Sequence, residues 1–262
     1  MIDIHSHILP GVDDGAKTMD DALDIARREL EGGTCSMFAT SHVMDKHDVE
    51  SLPMRAQRLQ ELIRTLEEKG IGFDVYPGAE VFPFPGVLKA IDEGAPLTLN
   101  GSRFVLLDLP LLHLPNDFES FIFSLQSRGL VPILAHPERV AEFQQDPEKL
   151  RPFVERDVPI QMNAGSVLGQ YGPQAMETAF YIMGRRWPQF MASDSHRASR
   201  SPKLQSAVRA LTGKVEDRYL ELLTCSSPHA VVTNGVLPSR PAEPPRPKKR
   251  FWANLLRRRA AV

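Results

Sequence analysis

Five of the eight histidines and several carboxylates stand in short polar clusters, each just after an apolar run: His5 and His7, His42, Glu80, Asp108, His136, and Asp194 with His196. Imidazole and carboxylate together suit divalent cations such as manganese, iron and zinc. In His5-Ser-His7 the two rings share a face if the segment is extended, because side chains alternate across a strand with period two. One cation can then be gripped by both. Taken singly these residues say little, since a lone His-x-His is usually a polar strand end and an isolated Glu80 or Asp108 a cap or solvated loop residue. Repetition carries the weight. Residues 2–4 precede His5, 36–40 precede His42, 73–77 precede Glu80, 104–107 precede Asp108, 131–135 precede His136 and 190–192 precede Asp194.

Such apolar runs have the length of strands, and the segments between them carry helical punctuation. Thr18 can cap a helix with Asp20 and Asp21 in its first turn, with Ala22, Leu23, Ile25, Ala26 and Leu30 inward and Gly32-Gly33 ending it. Leu59, Leu62, Ile63 and Leu66 before Gly70, and Phe118, Phe121, Ile122 and Leu125 before Gly129, repeat at helical spacing. Two further helices are expected at 173–185 and 201–211. With 159–162 as an additional strand there are seven β-segments, each followed by a helix or loop, which predicts a distorted (β/α)7 barrel. In such barrels the loops after the strands form one functional rim, where ligands from different strands converge.

A chain of 262 residues with 42% hydrophobic content can bury one full core. No apolar stretch approaches the roughly 18–20 residues of a membrane-spanning helix, and Met1 runs directly into a strand without a signal peptide, so a cytoplasmic protein is expected. Cys35 and Cys225 are too few for a disulfide framework and read as buried thiols. Neither has an Arg six positions later (Ser41 and Val231 stand there), which excludes the cysteine-dependent tyrosine phosphatase mechanism; no phosphate-cradling Gly-x-x-x-x-Gly-Lys-Ser/Thr loop is present either.

The motifs Asp3-Ile-His-Ser-His7, Gly11-Val-Asp-Asp-Gly15, Ala39-Thr-Ser-His42, Pro77-Gly-Ala-Glu80, Ala135-His-Pro-Glu-Arg139, Gln161-Met-Asn-Ala-Gly165 and Ser193-Asp-Ser-His196 resemble, in order, those of the bacterial metal-dependent tyrosine-protein phosphatases of capsule and exopolysaccharide loci. These are the CpsB/CapC-type members of the polymerase and histidinol phosphatase (PHP) superfamily. The resemblance runs from Met1 to about residue 210. It implies a PHP barrel that hydrolyses phosphotyrosine on proteins with a metal-activated hydroxide, manganese being the expected ion, two or three per chain, with iron or zinc as alternatives. By the same resemblance His5, His7, Glu80 and Asp194 hold one ion, Glu80 bridges to a second held by His42 and His136, and Asp14, Asp108 and His196 serve a third. Arg139 and Arg200 are candidate phosphoryl clamps, since guanidinium pairs bidentately with phosphate. Asp14 or His196 can protonate the leaving phenolate, whose pKa of about 10 makes it a good leaving group. The chain departs from the family pattern at Ser41 and Val43, where Pro and a second His are usual, and at Asp108, where the longer Glu is usual. His47, His113 and Asn163 fall near the same rim.

The expected partner is a phosphorylated tyrosine kinase. Two other functions stay open: a small-molecule phosphomonoesterase of histidinol-phosphatase type, and a non-catalytic metal-binding module. Residues 1–235 are expected to form the barrel and 236–262 a Pro-rich linker with a basic tail. Residues 246–262 contain seven Arg or Lys and no acid, leaving 24 basic against 33 acidic residues and a net of −9 on the rest. An acidic barrel repels nucleic acid. The tail's Phe251, Trp252, Leu255 and Leu256 fall on one helical face, a pattern compatible with anionic membrane at the inner face.

Overall fold

The computed structural model describes residues 1–197 and 203–244. Its strands are β1 (Ile2–Ser6), β2 (Ser36–Ala39), β3 (His42–Val43), β4 (Asp74–Pro77), β5 (Glu80–Val81), β6 (Phe104–Leu107), β7 (Val131–Ala135), β8 (Ile160–Asn163) and β9 (Pro188–Ala192). All their pairings are parallel. Parallel strands are covered on both faces and therefore read as continuous apolar runs. In β6, Phe104 and Leu106 join one buried cluster with Ile4, Phe38, Ile133, Phe190 and Ala192. Val105 and Leu107 alternate outward against Phe118, Ile122 and Leu125 of the helix Phe118–Gln126.

The seven expected strand positions are all occupied, but the second and third strands are each broken in two. β1, β2 and β4 make one sheet, and β3, β5, β6, β7, β8 and β9 a second. The chain changes sheets at Thr40–Ser41 and again at Gly78–Ala79, where a Cβ on Gly78 would approach Leu99 Cδ2 to 2.8 Å and Thr40 Cγ2 to 3.2 Å. β9 returns to β1 through a parallel bridge between Ser6 and Ser195, with Asp194 N donating to His5 O (2.9 Å) and His7 N to Ser195 O (3.0 Å). The strands run in the circular order of a distorted (β/α)7 barrel.

The helix Met19–Glu31 begins on a capping box between Thr18 and Asp21. One expectation for it is corrected: Leu30 is exposed and Glu29 is buried in its place. Glu29 lies three residues after Ala26 and four after Ile25, on the same face, whereas Leu30 is rotated away by one further residue. Leu52–Glu68, Gly172–Gly184 and Lys203–Leu211 are the other expected helices. Cys35, expected to be buried, is exposed at the approach to β2, and Cys225 is half-buried. Residues 236–244 form neither helix nor strand and are pinned to the barrel. Gln189 donates to Pro238 O, Arg240 to Val154 O and Asp157, and Glu243 pairs with Arg185 and Arg151. No helix among the described residues is long and apolar enough to cross a membrane.

Candidate metal centre

Strand alternation aims two of the carboxylates. Asp108 comes two residues after Leu106 and Asp194 two after Ala192, so each continues the inward face of its strand. His136 follows inward-facing Ala135 directly and reaches the site because its backbone turns left-handed (φ 34).

Glu80 stands at the centre. Its Oε1 lies 3.0 Å from His136 Nε2, and its Oε2 lies 2.9 Å from His42 Nδ1, 3.3 Å from His5 Nε2 and 3.4 Å from His7 Nε2. Asp194 Oδ1 lies 3.3 Å from His196 Nδ1, 3.4 Å from His7 Nε2 and 3.7 Å from His5 Nε2. Its Oδ2 instead accepts hydrogen bonds from Arg139 (2.9 Å) and Asn163 (2.8 Å). Asp14 Oδ1 is 3.3 Å from His196 Nε2 and 3.7 Å from His42 Nε2. Potential ligand atoms thus fall into three overlapping groups: His5, His7 and Glu80; His42, Glu80 and Asp108; His7, Asp14, His42 and His196.

The donor set fits divalent cations. His5 and His7 bring their Nε2 atoms within 3.3 Å of each other, and two ring nitrogens aimed at one point satisfy each other poorly. Glu80 Oε2 and His42 Nδ1 are buried without a well-formed hydrogen bond. Such groups are costly unless something charged sits among them. The second nitrogens of both rings are already committed, His5 Nδ1 to Gln161 Oε1 (2.9 Å) and His7 Nδ1 to Asp13 Oδ2 (2.8 Å). Donation from Nδ1 leaves Nε2 free to ligate.

Protonation follows the same crowding. Burial pushes the His5 imidazole down, but the Glu80 and Asp194 carboxylates outweigh it and raise it to about 9. Burial also opposes charge on His7, which hydrogen bonds to Asp13, Asp194 and Glu80 nonetheless raise well above the usual range. Against burial, His5 and its neighbours hold Glu80 and Asp194 well below the usual carboxylate range. Asp108 moves the other way, raised by burial and by the Glu80 charge, and His196 is lowered by burial and by His7. The surrounding carboxylates thus favour positive charge on His5 and His7, the same sign of charge a cation would supply.

Residues 1–233 match the family described as capsular polysaccharide synthesis, CpsB/CapC. The chain belongs to the CpsB/CapC family. It is 29% identical over 252 residues to the tyrosine-protein phosphatase YwqE of Bacillus subtilis, covering 96% of this chain and 99% of that one. With the tyrosine-protein phosphatase CpsB of Streptococcus pneumoniae it shares 23% over 246 residues, 90% and 100% of the two chains. Crystal structures of YwqE and CpsB are described as those of metal-dependent tyrosine phosphatases, and the matching chain superposes with a TM-score of 0.83 at 26% identity, over 94% of this chain and 100% of that one. A Lactococcus lactis histidinol phosphate phosphatase, at TM-score 0.52 and 15% identity over 81% of this chain and 92% of that one, shares the fold.

Within this CpsB/CapC member the expected ligands lie at the rim but group differently: His136 and Asp194 belong to none of the three groups, His136 lying 3.0 Å from Glu80 and Asp194 3.3 Å from His196. Asp108 Oδ2 lies 3.7 Å from His42 Nδ1 and shares its group with Glu80, while Asp14 and His196 group with His7. Arg139 binds Asp194 with Nη1 and stacks its guanidinium 4.3 Å from the Tyr171 ring centre. Arg200 lies outside the described residues. His47 and His113 are exposed and belong to none of the three groups.

Sequence reasoning missed Asp13, Gln161, Glu138 and Tyr171. Asp13 was masked by its neighbour Asp14. The period-two pair Gln161 and Asn163 at the end of β8 was the available signal for the side chains behind His5 and Asp194. Buried Glu138 accepts from Asn163 N at 2.8 Å. Asn163 acts twice, donating to Asp194 and accepting from Gly165 N through Oδ1 (2.7 Å).

Gly15 closes the Asp13–Asp14 turn against His7. A Cβ there would lie 2.0 Å from His7 O and 2.4 Å from His7 Cβ, so only glycine fits. Gly15→Ala is expected to cost about 1–3 kcal/mol in urea unfolding, as overpacking does, and to displace His7 enough to weaken metal uptake measured by calorimetric titration.

Proposed function

We propose that this chain is a metal-dependent phosphatase of tyrosine-phosphorylated protein acting in capsule or exopolysaccharide synthesis. The observation that carries the reading is Glu80, a fully buried carboxylate ringed by four imidazoles, in a chain of this family. His5, His7, Asp194 and Glu80 would hold one divalent ion, Glu80, His42, His136 and Asp108 a second, and Asp14, His196 and His42 a third. Manganese is the proposed metal, and a mixed imidazole and carboxylate set accepts iron or zinc as well. When bound, such ions lower the pKa of water into the neutral range and neutralise phosphoryl oxygens during in-line displacement.

The chain's own residues supply the rest. Asp13 and Gln161 orient His7 and His5, and Asn163 with Arg139 fixes Asp194. Arg139 stands at the edge of the centre, with N–H groups beyond the one on Asp194 to offer a phosphoryl oxygen. With two ions bound and the third position free, His196 and Asp14, at the more open side, are placed to pass a proton to the departing phenolate.

The test is phosphate release by chelator-stripped protein, with and without manganese, from a phosphotyrosine peptide and from histidinol phosphate. Manganese-dependent preference for the peptide supports the reading. Turnover of histidinol phosphate alone moves the assignment to small-molecule metabolism, and no restored activity on either substrate favours a binding role. The proposed physiological substrate is a tyrosine kinase at the inner face of the membrane. The basic residues 246–262, outside the described residues, are proposed to bring the enzyme there. Deleting them should abolish cosedimentation with anionic liposomes while leaving peptide turnover intact; unchanged cosedimentation sinks that part.

A further inference from the structure

Asp3, Glu29 and Lys203, each at most 3% exposed, are buried ionisable side chains outside the ligand set. All three meet the turn Ser193-Asp194-Ser195. Asp3 accepts from Ser193 N at 3.1 and 3.2 Å with its two oxygens and from His5 N at 3.2 Å. Lys203 Nζ donates to Ser193 O at 3.0 Å and to Asp194 O at 2.7 Å. Ser195 Oγ donates to Glu29 Oε1 at 3.4 Å, and Glu29 in turn is reached by the charge of Lys203.

The two carbonyls under the Lys203 ammonium belong to the peptide planes on either side of Asp194. Fixing both planes fixes φ and ψ of Asp194, and with them the direction of its Cα–Cβ bond. That matters because Asp194 is left-handed (φ 49), a conformation unfavourable for a non-glycine residue that persists only where its surroundings impose it. Burying an ammonium carries a large desolvation penalty. An apolar side chain of similar size would fill the space without that penalty, so packing alone gives no reason for a lysine here.

We infer that Lys203 is a positioning residue of the metal centre: its ammonium clamps the Ser193 and Asp194 carbonyls and thereby holds the Asp194 carboxylate with Oδ1 toward the imidazoles. The inference rests on the metal reading of the rim. It assigns Lys203 no contact with substrate. Its place at the start of the helix Lys203–Leu211 ties that helix to the Asp194 turn.

The test uses full-length, chelator-stripped protein titrated with Co²⁺, followed by visible absorption and by the rise in melting temperature on metal addition. Lys203→Met should weaken Co²⁺ uptake by about tenfold or more, the range seen when the partners behind metal ligands are removed, and should change the Co²⁺ bands. Lys203→Gln should be intermediate and Lys203→Arg should recover most of the affinity. A lysine that only supports the fold would lower the melting temperature in chelator and leave Co²⁺ affinity and spectrum untouched, which overturns the inference. If Lys203→Met does not fold, the Gln and Arg variants carry the same comparison. Wild-type protein that takes up no Co²⁺ would sink the metal reading and this inference together, whereas wild-type uptake matched by all three variants would sink the inference alone.

Discussion

Glu80→Gln is expected to lower manganese-dependent phosphate release by about 10³-fold or more, with little change in the shape of the side chain. The Glu80 carboxylate is the one acid within 3.4 Å of ring nitrogens from His5, His7, His42 and His136, and two of the three ligand groups share it. A glutamine keeps the volume but removes the charge that would balance the two proposed cations. It also turns one oxygen into an N–H donor facing ring nitrogens. Losing one preorganised electrostatic contact in a dry site commonly costs 10²–10³ in rate, and Glu80 is expected to act on two ions at once. The same variant should be less stable in chelator by about 3–5 kcal/mol, because protonated His5 and His7 would lose their buried counter-ion. Retention of more than a tenth of wild-type turnover with full manganese uptake would remove Glu80 from the centre of the site.

Metal removal should change how stability depends on pH. In chelator, His5 holds its proton up to about pH 9, whereas the same imidazole in the unfolded chain titrates near 6.5. Below pH 6.5 both states are protonated and the stabilisation is fully present; as pH rises through 9 the folded protein loses that proton and the stabilisation with it. His5 alone accounts for about 3 kcal/mol over this window, and His7, raised as well, acts in the same direction. Glu80 and Asp194 act at the acid end. Held well below their ordinary values, they contribute stability above about pH 4.5 that is lost as pH falls. The melting temperature of chelated protein should therefore fall between pH 6.5 and 9. With manganese it should hold or rise, because ligand imidazoles must be neutral and binding releases protons. Scanning calorimetry at pH 6.5, 8 and 9, with chelator and with manganese, checks this; parallel curves in the two conditions would contradict it.

The barrel was legible because buried parallel strands carry uninterrupted apolar runs, so all seven strand positions could be read from residues such as 104–107 and 131–135. The breaks within the second and third strands were not. They depend on Gly78 meeting Leu99 and Thr40, a contact between segments about 20 to 40 residues apart in the chain. Helix periodicity placed Ala22, Leu23, Ile25 and Ala26 inward but favoured Leu30 over Glu29 on hydrophobicity, since nothing local shows that Ser195 and Lys203 await a carboxylate. Cys35 misled for a similar reason: small and apolar neighbours in sequence do not ensure cover in space.

Residue types and their recurrence after apolar runs determined, from sequence alone, that imidazoles and carboxylates would gather at one end of a barrel. Ligand chemistry is a property of single side chains, and strand ends are marked locally. Tertiary structure alone decided how those ligands divide into groups and what stands behind them: Asp108 with Glu80, Asp13 on His7, Gln161 on His5, and Lys203 under the Asp194 turn. Those choices are set by distances of about 3 Å between residues up to 156 positions apart, and no pattern along the chain encodes which strand end leans toward which.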